Sequence, residues 1–194
     1  MTGRTHDTAA FTALAIAIVV YPPTGPVTLA TALISFLANQ IGGLVPDIDQ
    51  PTAPLWRNLP VAGILGRTIG KLLGGHRFLT HSIAGVALLG WLANWLLIFL
   101  QPIMPHTDIH YVWWAFMIGV FSHLVMDTFT KEGVPWLLPL PIKFGIPPLK
   151  ALRLTTGKFT ENFVVFPGLL IVNIIICAAY YNEIATFIHT RVGA

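Results

Sequence analysis

The sequence predicts an all-α integral membrane protein of about five transmembrane helices, with a metal site at the cytoplasmic end of the bundle. Three observations carry that expectation. Charged residues make up 10% of the 194 and hydrophobic residues 55%, whereas soluble domains carry roughly 25% charged residues. Mean hydropathy is +0.73. Several apolar runs approach or reach the ~20 residues that a spanning helix needs. Finally, histidines and carboxylates gather where those runs end on one side.

The first run, residues 8–21, is short and is closed by Pro22, Pro23 and Pro26. Arg4 followed by an apolar core has the layout of a signal peptide, but no small-x-small cleavage site follows in residues 21–26. A helix is therefore expected that either spans by packing tightly or enters only part of the bilayer. Full spans are expected at residues 27–45, 82–100, 110–126 and 163–181. Two long connections remain, at 50–80 and 128–162. In the first, Val61, Ile64, Leu65, Ile69 and Leu72 share one helical face, with Arg67 and Lys71 opposite, the pattern of an interfacial helix. In the second, Pro135, Pro139, Pro141, Pro147 and Pro148 stand among Trp136, Leu137, Leu138 and Phe144, which rules out a regular helix. This reads as an irregular apolar lip at the interface or a lid over a site. The lone Cys177 cannot form an intrachain disulfide. No internal repeat is visible, and residues 1–194 are expected to form one membrane-embedded domain.

Alternating the five segments across a bilayer puts Arg4, Arg57, Arg67, Lys71, Arg77, Lys131, Lys143, Lys150, Arg153 and Lys158 on one side and Arg191 alone on the other. The positive-inside rule then predicts an inner-membrane protein with its N-terminus and both long connections in the cytoplasm. The basic composition reads as an orientation signal rather than a nucleic-acid surface.

The candidate metal ligands fall on that same side: His6, Asp47, Asp49, His76, His81, His123, Asp127 and Glu161. His123 and Asp127, at i and i+4, share a helical face one turn apart and can bind one metal or pair as ligand and support. Asp47 and Asp49 follow a glycine-rich helix end, where the helix dipole disfavours anions and a cation is wanted. Alternation along an extended chain would let one ligate while the other anchors the loop. His76 and His81 flank a helix start, with Thr80 as its expected N-cap. His106, His110 and His189 lie on the opposite side and are left out.

With these motifs assembled, the chain resembles the YdjM-like family of membrane-bound, metal-dependent hydrolases. The residues that carry the resemblance are Leu44-Val45-Pro46-Asp47-Ile48-Asp49, His76-Arg77-Phe78-Leu79-Thr80-His81-Ser82 and Ser122-His123-Leu124-Val125-Met126-Asp127. Thr130-Lys131-Glu132-Gly133-Val134-Pro135 and Thr156-Gly157-Lys158-Phe159-Thr160-Glu161 complete the set. The resemblance implies a helical membrane fold, a metal centre and hydrolytic chemistry. More distantly, the His-x-x-x-Asp helix is similar to that of zinc-dependent phospholipase C and the fungal single-strand nucleases. In that likeness His6 stands near their terminal ligand and Glu161 serves as a late carboxylate.

Mixed imidazole and carboxylate ligands without thiolate suit zinc first, with manganese or iron as alternatives. Eight ligands exceed the three or four of one catalytic zinc, so two ions are expected. Asp49 or Glu161 is the expected base or acid. Arg77, with Lys131 or Lys158, is expected to neutralise a phosphoester, either a lipid or a small molecule delivered at the membrane. The alternative is a metal or proton-coupled transporter. Such proteins place their ions near the midplane between repeat-related broken helices, a pattern this sequence lacks.

Overall fold

The computed structural model describes residues 1–25, 27–50, 68, 77–140 and 142–192. Among them the chain forms helices and turns, with no β-strand. α1 is Gly3–Val20. α2, Leu29–Leu44, is capped by Thr28, whose hydroxyl accepts from the Thr31 amide at 3.1 Å. Pro46 then tightens the chain into a 3-10 turn, Val45–Asp49. A second such turn, Leu79–His81, leads into α3, Ile83–Leu100. The cap of α3 is Ser82, whose hydroxyl accepts from the Gly85 amide at 3.0 Å, so Thr80 does not have the capping role expected of it. α4 is Ile109–Thr128, and a π turn, Glu161–Val165, runs into α5, Phe166–Ala179. α6 is Tyr181–Val192.

Among the described residues, four helical stretches are long and apolar enough to cross a membrane: Leu29–Asp49, Ile83–Ile103, Ile109–Thr128 and Glu161–Ala179. Each lies within a few residues of a run read from the sequence. α1 is not among them, since Arg4, Thr5, His6, Asp7 and Thr8 occupy its first turns.

The polarity of the bundle is inverted relative to a soluble protein. Large side chains such as Phe36, Trp95, Ile171 and Ile175 face outward, while Ala9, Ala10, Thr31, Asn39 and Ala115 are buried. In water that surface would aggregate, whereas in lipid it is solvated and the helices associate through close packing of small residues. The tightest seam joins α2 to α4. A Cβ on Gly42 would overlap the Phe116 carbonyl, and one on Gly119 would overlap the Asn39 carbonyl. The Asn39 amide also donates to the Ala115 carbonyl at 3.0 Å.

The second connection is the irregular structure its prolines demand, fastened to the end of α4. Ile146 N–H donates to the Thr128 carbonyl at 2.9 Å and Leu154 N–H to the Phe129 carbonyl at 3.0 Å. Val134 and Phe144 exchange backbone bonds at 2.8 and 2.9 Å. The interfacial helix expected around Val61–Leu72 of the first connection lies outside the described residues, as does His76.

Candidate metal centre

Three elements deliver four side chains to one end of the bundle. Asp47 comes from the turn after α2, His81 from the turn before α3, and His123 with Asp127 from the last turns of α4. One ligand atom from each lies within 4.8 Å of the other three. His81 Nε2 is 3.7 Å from Asp47 Oδ1 and 3.5 Å from Asp127 Oδ2. His123 Nε2 is 3.5 Å from Asp47 Oδ1 and 3.7 Å from Asp127 Oδ2. Only Asp47 retains appreciable exposure, at 16% of its side chain.

The chain settles which nitrogen of each imidazole faces the cluster. His123 Nδ1 lies 2.7 Å from the Gly43 carbonyl, which can only accept, so Nδ1 carries the proton. Its Nε2 lone pair is then presented to the two carboxylates, and that atom makes no hydrogen bond among the described residues. The α2–α4 seam causes this arrangement, because close approach at Gly42 and Gly119 brings the Gly43 carbonyl within reach of the ring. At His81 the Thr80 hydroxyl donates to Asp49 Oδ2 at 2.7 Å, so it accepts from His81 Nδ1 at 3.0 Å. His81 Nε2 is thereby turned to Asp47 and Asp127. Burial pushes His81 below its ordinary titration range, while its contact with Asp127 pulls the other way. The neutral ring is the form that ligates a metal. Outer-shell partners of this kind orient metal-binding histidines generally.

Asp127 is fully buried and used on both oxygens. Oδ2 takes Arg77 Nη2 at 2.6 Å, and Oδ1 lies 3.4 Å from His6 Nε2 and accepts from the Met1 amino group. The His6 ring stacks on His123, with centroids 3.7 Å apart and planes at 10°. Arg77 has φ +57°, a left-handed conformation that costs a non-glycine residue energy and persists where the surroundings enforce it. Its amide donates to Asp49 Oδ2 at 3.0 Å and its Nη1 to Thr130 Oγ1 at 2.9 Å.

Several expected ligands therefore stand elsewhere. Asp49 is outside the group of four; it accepts from the Arg77 amide and the Thr80 hydroxyl and so anchors the turn that carries His81. Glu161 is buried but saturated: Oε1 accepts from Thr2 N, Thr2 Oγ1 and Thr5 Oγ1 at 2.7, 2.7 and 2.8 Å, and Oε2 from Gly157 N at 2.7 Å. It ties the start of α1 to the start of the last span instead of facing the cluster. Arg77, expected to grip a substrate, grips Asp127. His106, His110 and His189 are exposed and away from the four. Sequence reasoning passed over the Gly43 carbonyl and the roles of Thr80 and Thr130, although both threonines sit inside the motifs that carry the resemblance.

A helical bundle with a lipid-facing exterior and two imidazoles and two carboxylates at one end is a multi-pass membrane protein with a candidate metal centre. The chain belongs to the YdjM inner membrane protein family, whose pattern matches residues 1–185. It is 29% identical over 164 residues to the uncharacterized protein YvsG of Bacillus subtilis (strain 168), covering 84% of this chain and 87% of that one. It is 31% identical over 121 residues to the inner membrane protein YdjM of Escherichia coli (strain K12), covering 62% of this chain and 56% of that one. The match thus spans little more than half of the latter protein. No solved structure matches the chain.

Proposed function

We propose that this protein is a membrane-bound, metal-dependent hydrolase that cleaves a phosphoester of a lipid or of a molecule delivered at the membrane, with its site on the cytoplasmic face. The observation that carries the reading is the fixed tautomer of His123. Its Nδ1 proton is committed to Gly43, and its buried Nε2 is aimed at two carboxylates. A hydrogen-bonded core histidine has no need of such an arrangement, whereas a cation ligand does. Asp47, His81, His123 and Asp127 would hold the metal, and the set fits zinc. A metal bound there supplies a Lewis acid and a water of lowered pKa. A second ion would take Asp127 Oδ1 and His6 Nε2, the two atoms that the Met1 amino group bridges here, while Oδ2 faces the other two histidines.

The remaining residues act as positioners. Asp49 and Thr80 orient His81, and Thr130 holds Arg77. Arg77 holds Asp127 and adds the positive charge that an anionic phosphoester needs. The location of the cluster at the ends of the spans, away from their middles, favours hydrolysis over transport. The cytoplasmic placement rests on the cation distribution, and a cysteine replacing Lys150 should label only from the cytoplasmic side.

The test joins metal analysis of the purified protein to turnover of chromogenic phosphomonoesters and phosphodiesters. Stoichiometric zinc, with turnover abolished by chelation and restored by zinc, is the expected result. Arg77→Lys should keep its metal yet lose on the order of 10²-fold in turnover, since an ammonium lacks the planar fork. No hydrolysis of either ester class, together with zinc uptake into proteoliposomes, would favour transport and sink the hydrolase.

A further inference from the structure

We infer that the connection between α4 and α5, residues 129–159, is a lipid-binding platform that seats in an anionic headgroup layer and holds the candidate metal centre at that depth. The surface stands apart from the hydrolase reading, because no metal or turnover is needed for it.

The segment starts where the span Ile109–Thr128 ends and finishes before the span Glu161–Ala179 begins. Its side chains are nevertheless as outward and as apolar as those of the spans. Leu140, Ile142 and Ile146 are each 54% exposed, and Leu149, Leu152 and Phe159 reach 68%, 67% and 71%. Among the described residues the backbone here forms turns and isolated bridges rather than a continuous helix, and lipid-exposed irregular backbone does not occur in hydrocarbon, so this surface cannot lie in the bilayer core. The headgroup boundary accepts both features. Irregular backbone is hydrated there while apolar tips reach the acyl chains.

Charge selects the kind of lipid. Lys131, Lys143, Lys150 and Lys158 are exposed between the apolar tips. Arg153 is used differently, donating to the Pro147 and Pro148 carbonyls at 2.7 and 2.9 Å. The only acid in the segment, Glu132, lies 3.6 Å from Arg77. Free cations on an apolar face complement anionic phospholipid, which attracts juxtamembrane lysines. The platform is also tied to the site. Trp136 Nε1 donates to Thr128 Oγ1 at 3.1 Å, its carbonyl accepts from Ile83 N at 3.0 Å, and Thr130 holds Arg77. The depth of the platform therefore sets the depth of Asp127.

Single cysteines at Leu149→Cys and Leu152→Cys, in a Cys177→Ser background, would carry an environment-sensitive fluorophore in vesicles of phosphatidylcholine with phosphatidylglycerol. Ile175→Cys, on the outward face of α5, serves as the inserted control. Emission at 149 and 152 should be blue-shifted, quenched by nitroxide-bearing lipid and shielded from aqueous iodide. Anionic nitroxide lipid should quench more than zwitterionic lipid, and that preference should be lost in the Lys143→Glu/Lys150→Glu variant. Free access of iodide with Ile175→Cys still lipid-quenched would overturn the proposal, as would a preference that survives the double variant. Shielding from both quenchers would mean that protein covers the face, and that too would overturn it.

Discussion

α4 carries one histidine near each end, and the two have opposite fates. His110, in the first turn, is exposed, and its Nε2 accepts from Trp114 at 3.1 Å. His123, roughly 20 Å along the axis at 1.5 Å per residue, is 1% exposed, stacked on His6 and pinned by a neighbouring carbonyl. The residues of α4 make part of the difference, since one turn beyond His123 stands Asp127 and one turn beyond His110 stands Trp114. At the His123 end, paired glycines let α2 approach until its backbone becomes a hydrogen-bond partner. At the His110 end, α2 begins with Thr28 and Thr31, whose hydroxyls bond the His106 carbonyl and the Asp108 amide. A histidine becomes a candidate ligand here when a second helix fixes its tautomer, the turn after that helix and its own helix end bring carboxylates, and a third element adds His81.

The largest contrast should come from Asp127→Ala set beside His110→Ala. Loss of Asp127 removes a carboxylate from the group of four and leaves the buried Arg77 guanidinium with only the exposed Glu132, 3.6 Å away, as an acid partner. Breaking a buried pair on one side costs about 3–5 kcal/mol. Bound metal should vanish and the melting temperature should drop sharply, whereas His110→Ala should match the parent in both. Equal behaviour of the two variants would erase the distinction between the ends of α4.

A smaller effect is expected from the seam. Gly42→Leu puts a side chain where the Phe116 carbonyl lies, and overpacking of that kind costs roughly 1–3 kcal/mol or more. It should also move the Gly43 carbonyl away from His123, so metal content should fall although no ligand has changed. Gly25→Leu, at a position with nothing within 4 Å, should be silent in the same thermal and metal assays.

Thr80→Val should be milder still. His81 keeps its place but loses the hydroxyl that orients it, and outer-shell changes typically weaken metal affinity by about 10–100-fold. A chelator competition titration reads this directly. Unchanged affinity would show that the Asp49–Thr80–His81 chain only shapes the turn.

Much of this was legible in the sequence, and the limits have physical causes. The four spans stand out because long apolar runs have one stable solution in a bilayer. Asp47, His81, His123 and Asp127 could be picked because threading those runs puts them on one side, where ionisable groups are costly. The choice between Asp47 and Asp49 could not be read, since it depends on a 3-10 turn and on Thr80 arriving from a distant segment. Glu161 looked like a ligand because its four donors come from Thr2, Thr5 and Gly157, and the first two lie more than 150 positions away in the chain. Arg77 looked free for substrate because nothing local announces its left-handed backbone or its reach to Asp127. The short first run was legible as a helix, but its crossing of the bilayer was not. Its polar first turns instead bring His6 beside His123.

The central claim is that the His123 end of α4 binds a metal and the His110 end does not. Elemental analysis of the parent protein, His123→Ala and His110→Ala, purified side by side under identical conditions, tests it most directly. The account predicts stoichiometric metal in the parent and in His110→Ala, and loss of it in His123→Ala with helical content preserved. Equal metal in all three proteins, or none in the parent after incubation with zinc, would contradict it.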